Sequence, residues 1–99
     1  MRDVDRVIHE PVRLRAMMVL SGADSVDFKF LRTALQLTKG NLSSHMSRLE
    51  TAGYIEVAKS FQGKTPHTEY RLTGDGRIAL GRYWEMLDGL RERAGHDEP

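Results

Sequence analysis

An α+β fold that is mainly helical, with three helices, a β-hairpin and a last helix in that order, is what this sequence of 99 residues predicts. Three observations carry the prediction. Apolar residues recur at helical spacing before residue 52 and again after residue 77, and the period drops to two between Tyr54 and Leu72. Capping and turn residues (Pro11, Asp27, Thr38, Gly53, Gly63, Thr73) fall where the elements should start or stop.

The first helix starts at Pro11, because proline suits the first helical position, where its missing N–H costs nothing. Leu14, Met17, Met18 and Leu20 follow at helical spacing, and Ser21 to Asp24 end it. Val4, Val7 and Ile8 repeat at the same spacing, which predicts a turn or two before Pro11. Val26 suggests a very short strand. Asp27 then caps a second helix, its carboxylate accepting orphan N–H groups of the first turn; Phe28, Leu31 and Leu35 line its buried face. Leu37 sits in a tight turn, and Thr38 caps a third helix that runs from Lys39 to about Ala52 and stops at Gly53. Two helices joined by so short a turn make a helix-turn-helix unit.

From Tyr54 to Phe61 and from His67 to Leu72 the alternation predicts two strands, connected through Gln62-Gly63-Lys64-Thr65-Pro66. Thr73 caps a last helix bearing Ile78, Leu80, Tyr83, Trp84, Leu87 and Leu90. The expected organisation is one domain over residues 1–93. Within it the helix-turn-helix spans about 28–52, the hairpin about 54–72 and the last helix about 74–92, with 94–99 as a frayed tail. A hairpin directly after the third of three helices is the most informative feature of this order.

Composition narrows the function classes. The chain has no cysteine, which excludes disulfides, thiolate metal sites and cysteine nucleophiles. His9, His45, His67 and His96 lack the spacing of a metal clip, and Ser44 and His45, adjacent on a helix, point about 100° apart, so they form no nucleophile–base pair. Gly74-x-Gly76 opens a helix without the rest of a phosphate-binding fingerprint. The expectation is a protein that is not an enzyme and has no metal or cofactor. Arg2, Asp3, Asp5 and Arg6 interrupt any apolar leader, and the run from Ala16 to Leu20 is far short of the roughly 20 residues of a membrane span. A cytoplasmic location with no membrane partner is expected.

Net charge is only +1, but its distribution matters more than its sum. Residues 39–71 hold five Lys/Arg against three Asp/Glu, whereas residues 72–99 hold four against six, so the basic excess falls on the third helix and hairpin. On a helical projection of about 100° per residue, Leu42, Met46 and Leu49 share one stripe of the third helix. Gly40, Ser43, Ser44, Ser47 and Thr51 lie opposite, Asn41 and Arg48 on one shoulder, and His45 near the core edge. A solvated helix ordinarily displays long Lys and Glu side chains. Small hydroxyls instead let a helix sink into the major groove of DNA, where Asn41 can pair with adenine and Arg48 with guanine or phosphate. Lys64 at the hairpin tip, with Lys59 and His67 behind it, can reach neighbouring phosphates.

The stretches Ile8-His9-Glu10-Pro11-Val12-Arg13-Leu14-Arg15 and Leu37 to Tyr54, the tip Gly63-Lys64-Thr65-Pro66, and Leu72-Thr73-x-x-Gly76 resemble the winged-helix DNA-binding family related to MarR- and ArsR-type transcriptional regulators. The resemblance covers roughly residues 4 to 90. It implies a winged helix-turn-helix: a three-helix core, a two-stranded β wing and a C-terminal dimerisation helix. It also implies a homodimer that binds double-stranded DNA sequence-specifically, with helix 39–52 in the major groove and the wing, residues 59–67, on the backbone or minor groove. Carried over by position, the DNA contacts are Thr38, Lys39, Asn41, Ser43, Ser44, Arg48 and Lys64. The chain departs from larger relatives in lacking helices beyond residue 91 and the ligands of metal-sensing members, so no built-in small-molecule effector is expected.

The apolar positions of the last helix are wider than one core-facing stripe requires. Together with the N-terminal segment they predict a dimer interface of Val4, Val7, Ile8, Tyr83, Trp84, Leu87 and Leu90. The alternative to a DNA-binding regulator is a winged helix used as a protein–protein interaction module, which the small net charge permits.

Overall fold

The computed structural model describes residues 5–96. Helix α1 (Pro11–Ser21) is followed by strand β1 (Val26–Asp27), helices α2 (Phe28–Leu35) and α3 (Lys39–Thr51), the hairpin β2 (Ile55–Gln62) and β3 (Thr65–Leu72), and α4 (Gly74–His96). The caps are where their chemistry suggests. The Glu10 carboxylate accepts from Arg13 N at 2.7 Å, Asp27 from Phe30 N at 2.7 Å, and Thr38 Oγ1 from Asn41 N at 3.2 Å, each satisfying one orphan donor of a first turn. Between α2 and α3 the chain reverses through Gln36, whose φ of 55° is left-handed and sets Leu37 against the core.

One core joins all four helices to the sheet. Met17 and Leu20 of α1, Leu31 and Leu35 of α2, and Leu42, Met46 and Leu49 of α3 meet Ile55, Tyr70 and Leu72 of the hairpin and Leu80 and Tyr83 of α4. The short β1 adds a third strand to the wing: the sheet order is β1-β3-β2, all antiparallel, with Val26 opposite Tyr70. That contact roots the wing in the helical body.

The hairpin is tighter than the sequence suggests. Its strands pair without interruption from Ile55↔Leu72 to Gln62↔Thr65, which leaves only Gly63 and Lys64 in the loop instead of five residues. Gly63 has φ of 65° and Lys64 is not left-handed, the signature of a type II′ turn with glycine in first place. Pro66, expected in the loop, is accommodated in β3. With Gln62↔Thr65 closing the turn, the next pair, Phe61↔Pro66, is a non-hydrogen-bonded one. The missing N–H of Pro66 then falls on the open edge of β3, beyond the reach of β1.

Helix α4 extends four residues past the expected end at 92, into what was expected to be a frayed tail. Its start is fixed closely. Thr73 Oγ1 accepts from Gly76 N at 2.9 Å and donates to Gly53 O at 2.7 Å, while Thr73 N donates to Tyr54 O at 3.0 Å. A Cβ built at Gly76 would overlap the Tyr54 carbonyl and lie 2.9 Å from Leu72 Cδ1, so only glycine lets α4 approach the α3–β2 turn this closely.

Two residues expected at a subunit interface belong to the monomer core instead. Ile8 is 0% exposed and Tyr83 7%, so neither has surface left for a partner. The reason lies in the N-terminal segment, which folds back on the body. Asp5 accepts from Val7 N and Ile8 N and from the Tyr54 hydroxyl, and His9 Nδ1 lies 2.8 Å from Tyr83 Oη. Val7 and Leu87 pack on the same core, and Leu90 is half-buried. Trp84, 37% exposed and edge-on to Tyr83, keeps open surface, as does Ile78. Val4 lies outside the described residues. No helix among the described residues is long and apolar enough to cross a membrane.

Candidate nucleic-acid interface

Helix α3 divides along its length as its periodicity requires. Leu42, Met46 and Leu49 are buried, and Lys39, Gly40, Asn41, Ser43, Ser44, Ser47, Arg48 and Thr51 are exposed. A helix fixed through three buried apolar residues presents its other face as a rigid surface, which recognition of base edges demands.

His45, at the border between the two faces, is held by a residue the sequence analysis did not single out. Arg13 of α1 is only 9% exposed, and its guanidinium spans from the N-terminal segment to α3. Nε donates to Val7 O at 2.6 Å, Nη2 to Arg6 O at 3.4 Å, and Nη1 to His45 Nδ1 at 3.1 Å. A guanidinium can only donate, so His45 Nδ1 is the acceptor and its ring proton sits on Nε2. Glu10 Oε1 lies 3.8 Å from the same nitrogen. Arg13 therefore sets the position of α3 relative to α1 and buries the N-terminal segment at the same time. A lone arginine at helical spacing among apolar residues was its only signal.

The wing presents one face toward α3. By alternation Ile55, Val57, Lys59 and Phe61 of β2 share that face with Leu72, Tyr70, Thr68 and Pro66 of β3. Ile55, Tyr70 and Leu72 are buried at the root, and farther out Lys59 and Thr68 line a groove of about 330 Å³ together with Ser43 and Ser47 of α3. Burial raises the Tyr70 phenol above its ordinary range, with the Glu50 carboxylate adding to the shift. Lys39 at the start of α3 shares a second, larger cleft with Lys29 and Arg32 of α2 and with Thr65 and Pro66 of the wing.

The expected DNA-contact residues on α3 thus fall into two groups. Ser43 lines the groove against the wing, and Lys39 lines the cleft beside it. Asn41, Ser44 and Arg48 are exposed on α3 outside the groove, and Arg48 lines a shallow pocket with Arg6, Arg13 and Thr51. Lys64 is exposed at the wing tip. Thr38 spends its hydroxyl on the helix cap. His67 is not aligned with Lys59: it lies on the opposite sheet face, its Nε2 3.7 Å from Glu69 Oε1. Among the described residues no group of three His, Cys, Asp or Glu is placed to hold a metal ion.

Comparison with known proteins agrees with this arrangement. The family model for the winged helix DNA-binding domain matches residues 12–90. An uncharacterized protein of Methanocaldococcus jannaschii is 32% identical over 83 residues, which is 83% of this chain and 90% of that protein. Among solved structures, a transcriptional regulator homologue from Pyrococcus horikoshii OT3 superposes with a TM-score of 0.84 at 29% identity, over 95% of this chain and 91% of its own. A MarR-family transcriptional regulator from Silicibacter pomeroyi shares the fold at a TM-score of 0.66 and 19% identity, over 94% of this chain and 62% of its own. With its rigid third helix and a wing rooted in the same core, the chain belongs to the winged helix DNA-binding domain family.

Proposed function

We propose that this protein is a sequence-specific, double-stranded-DNA-binding transcriptional regulator that acts in the cytoplasm as a homodimer. Helix α3 enters the major groove, with Asn41 and Arg48 reading base edges or phosphate and Ser43 and Ser44 bonding along them. The wing follows the backbone into the adjacent minor groove, and Lys64 and Lys59 neutralise phosphates there. The observation that carries this reading is the groove shared by Ser43 and Ser47 of α3 with Lys59 and Thr68 of the wing. Two elements built to touch a duplex face the same concavity, so one duplex can engage both.

A single module of this kind buries only about 600–1,000 Å² on DNA, which favours a two-fold pair for useful affinity. The open apolar surface on α4, at Ile78 and Trp84, is where we place the subunit contact, with the half-buried Leu90 at its edge. The test is selection of bound fragments from source-genome DNA, followed by titration of the recovered duplexes across a salt series. Binding that weakens as salt rises supports the reading, and inverted repeats with half-sites about 10 base pairs apart, or multiples of that, support the dimer. A protein that retains no duplex at low salt is a protein-interaction module instead, and a stable 11.3 kDa species in sedimentation would remove the dimer.

A further inference from the structure

Lysines supply charge at the wing, but the most exposed large apolar residue of the described chain is also there. Phe61 is 72% exposed. It faces Pro66 across the hairpin as a non-hydrogen-bonded pair, the arrangement that brings two side chains closest together. The pairing from root to tip contains no bulge, so Phe61 projects from the same sheet face as Lys59, two residues inward, and that face lines the groove opposite α3. Residues 57–68 contain Lys59 and Lys64 and no aspartate or glutamate, so the outer part of the ribbon itself is cationic, while Glu50 of α3 lines the groove nearer the root. Apart from the side next to Pro66, most of the ring is left in water, at a hydration cost that a partner surface would recover. An apolar pair on a narrow ribbon, flanked by lysines and on the same sheet face as the α3 groove, matches a duplex minor groove, whose rims are phosphates, whose walls are apolar sugar faces, and whose stacked bases offer apolar faces once a step opens.

We propose that Phe61, backed by Pro66, is an apolar wedge that the wing inserts into the minor groove, displacing a base step and bending the duplex while Lys59 and Lys64 hold the flanking phosphates. This inference rests on the DNA-binding reading above and adds to it a contact that ion pairing does not supply. Proteins that enter the minor groove use such wedges to unstack a step and kink DNA by about 20–90°. The two kinds of contact differ in signature. Phosphate contacts release counterions and set the salt slope, whereas a wedge contributes affinity that salt does not change.

The experiment uses the full chain and a dye-labelled, mixed-sequence duplex of about 30 base pairs, three helical turns, with end-to-end energy transfer reporting the bend. A second duplex replaces guanine by inosine, which leaves the major-groove edge intact and removes the minor-groove amino group. Phe61→Ala is expected to bind about tenfold more weakly, the loss of one buried aromatic contact, with an unchanged salt slope and a smaller bend. Wild type is expected to prefer the inosine duplex and Phe61→Ala not to. Lys64→Ala should do the reverse of Phe61→Ala, lowering the slope by about one and keeping the bend. Because the ring is exposed, an unchanged circular dichroism spectrum and melting temperature should accompany the substitution. Equal affinity and equal bending by wild type and Phe61→Ala would overturn the wedge while leaving DNA binding intact. No retention of either duplex by wild type would overturn the DNA-binding reading and the wedge with it.

Discussion

The two ends of the hairpin could hardly be built more differently. At the root, Ile55, Tyr70 and Leu72 are buried, β1 adds a third strand, and Thr73 and Gly76 lock the start of α4 against the Gly53–Tyr54 turn. At the tip, Phe61, Lys64 and Pro66 are exposed and the strands hold only each other. The same division runs along α3, whose Leu42, Met46 and Leu49 are packed while Asn41, Ser44 and Arg48 are bare. The difference teaches that stability and recognition are assigned to separate residues of the same elements. Substitutions at the root should unfold the protein, and substitutions at the tip or on the outer face of α3 should change binding alone.

Gly76→Ala tests the root most severely. A methyl group there meets the Tyr54 carbonyl, which cannot move without opening the α3–β2 turn. Destabilisation of about 3 kcal/mol, the upper end of overpacking costs, is expected in denaturant titration. A midpoint equal to wild type would mean that the root is not the anchor described. Arg48→Ala and Asn41→Ala test the outer face of α3. Each should leave folding within about 0.5 kcal/mol of wild type. Each should also change discrimination at one base pair by about 1–3 kcal/mol if it reads a base. Equal loss on every sequence would reassign that residue to phosphate.

Thr38→Ala lies between the two classes, since its hydroxyl caps the helix that carries the contacts. A stability loss of about 1 kcal/mol is expected, and an unchanged denaturant midpoint would deny it the cap role. Lys64→Ala, at the exposed tip, should leave the melting temperature alone and lower the salt slope of binding by about one; an unchanged slope would remove the phosphate contact.

The smallest effect is at alkaline pH and belongs to the root. Burial, donation of its hydroxyl to Asp5 and the Asp5 charge push the Tyr54 phenol up to about 12. Below about pH 10, the ordinary tyrosine value, both folded and unfolded states keep the proton and the contribution is fully present. Between there and the folded value the unfolded chain releases its proton first, so stability falls as pH rises. Tyr54→Phe should flatten that decline; an identical pH profile would mean another group causes it.

Much of this was legible in the sequence, for a local reason. The caps Asp27 and Thr38, the stop at Gly53 and the inner stripe of α3 each depend on residues within a turn or two of one another, and periodicity reports them directly. The exposed set on α3 followed by elimination. What lay beyond reach was every feature made by residues distant in the chain. Val26 suggested a strand, but only its pairing with Tyr70 makes that strand the anchor of the wing. The hairpin's turn residues were evident, but loop length depends on how far pairing propagates, and that carried Pro66 into β3.

By itself, then, the sequence determined the order of the elements, the faces of α3 and the sign of the charge on the wing, since all three follow from spacing and composition. Tertiary structure alone decided that Ile8 and Tyr83 fill the core and that Arg13 reaches His45 across 32 positions. It alone decided also that Lys59 and Ser43 share one groove. The physical reason is that periodicity shows which face of an element is apolar but not which surface will cover it. That depends on how the elements pack, and here the N-terminal segment and α4 cover each other.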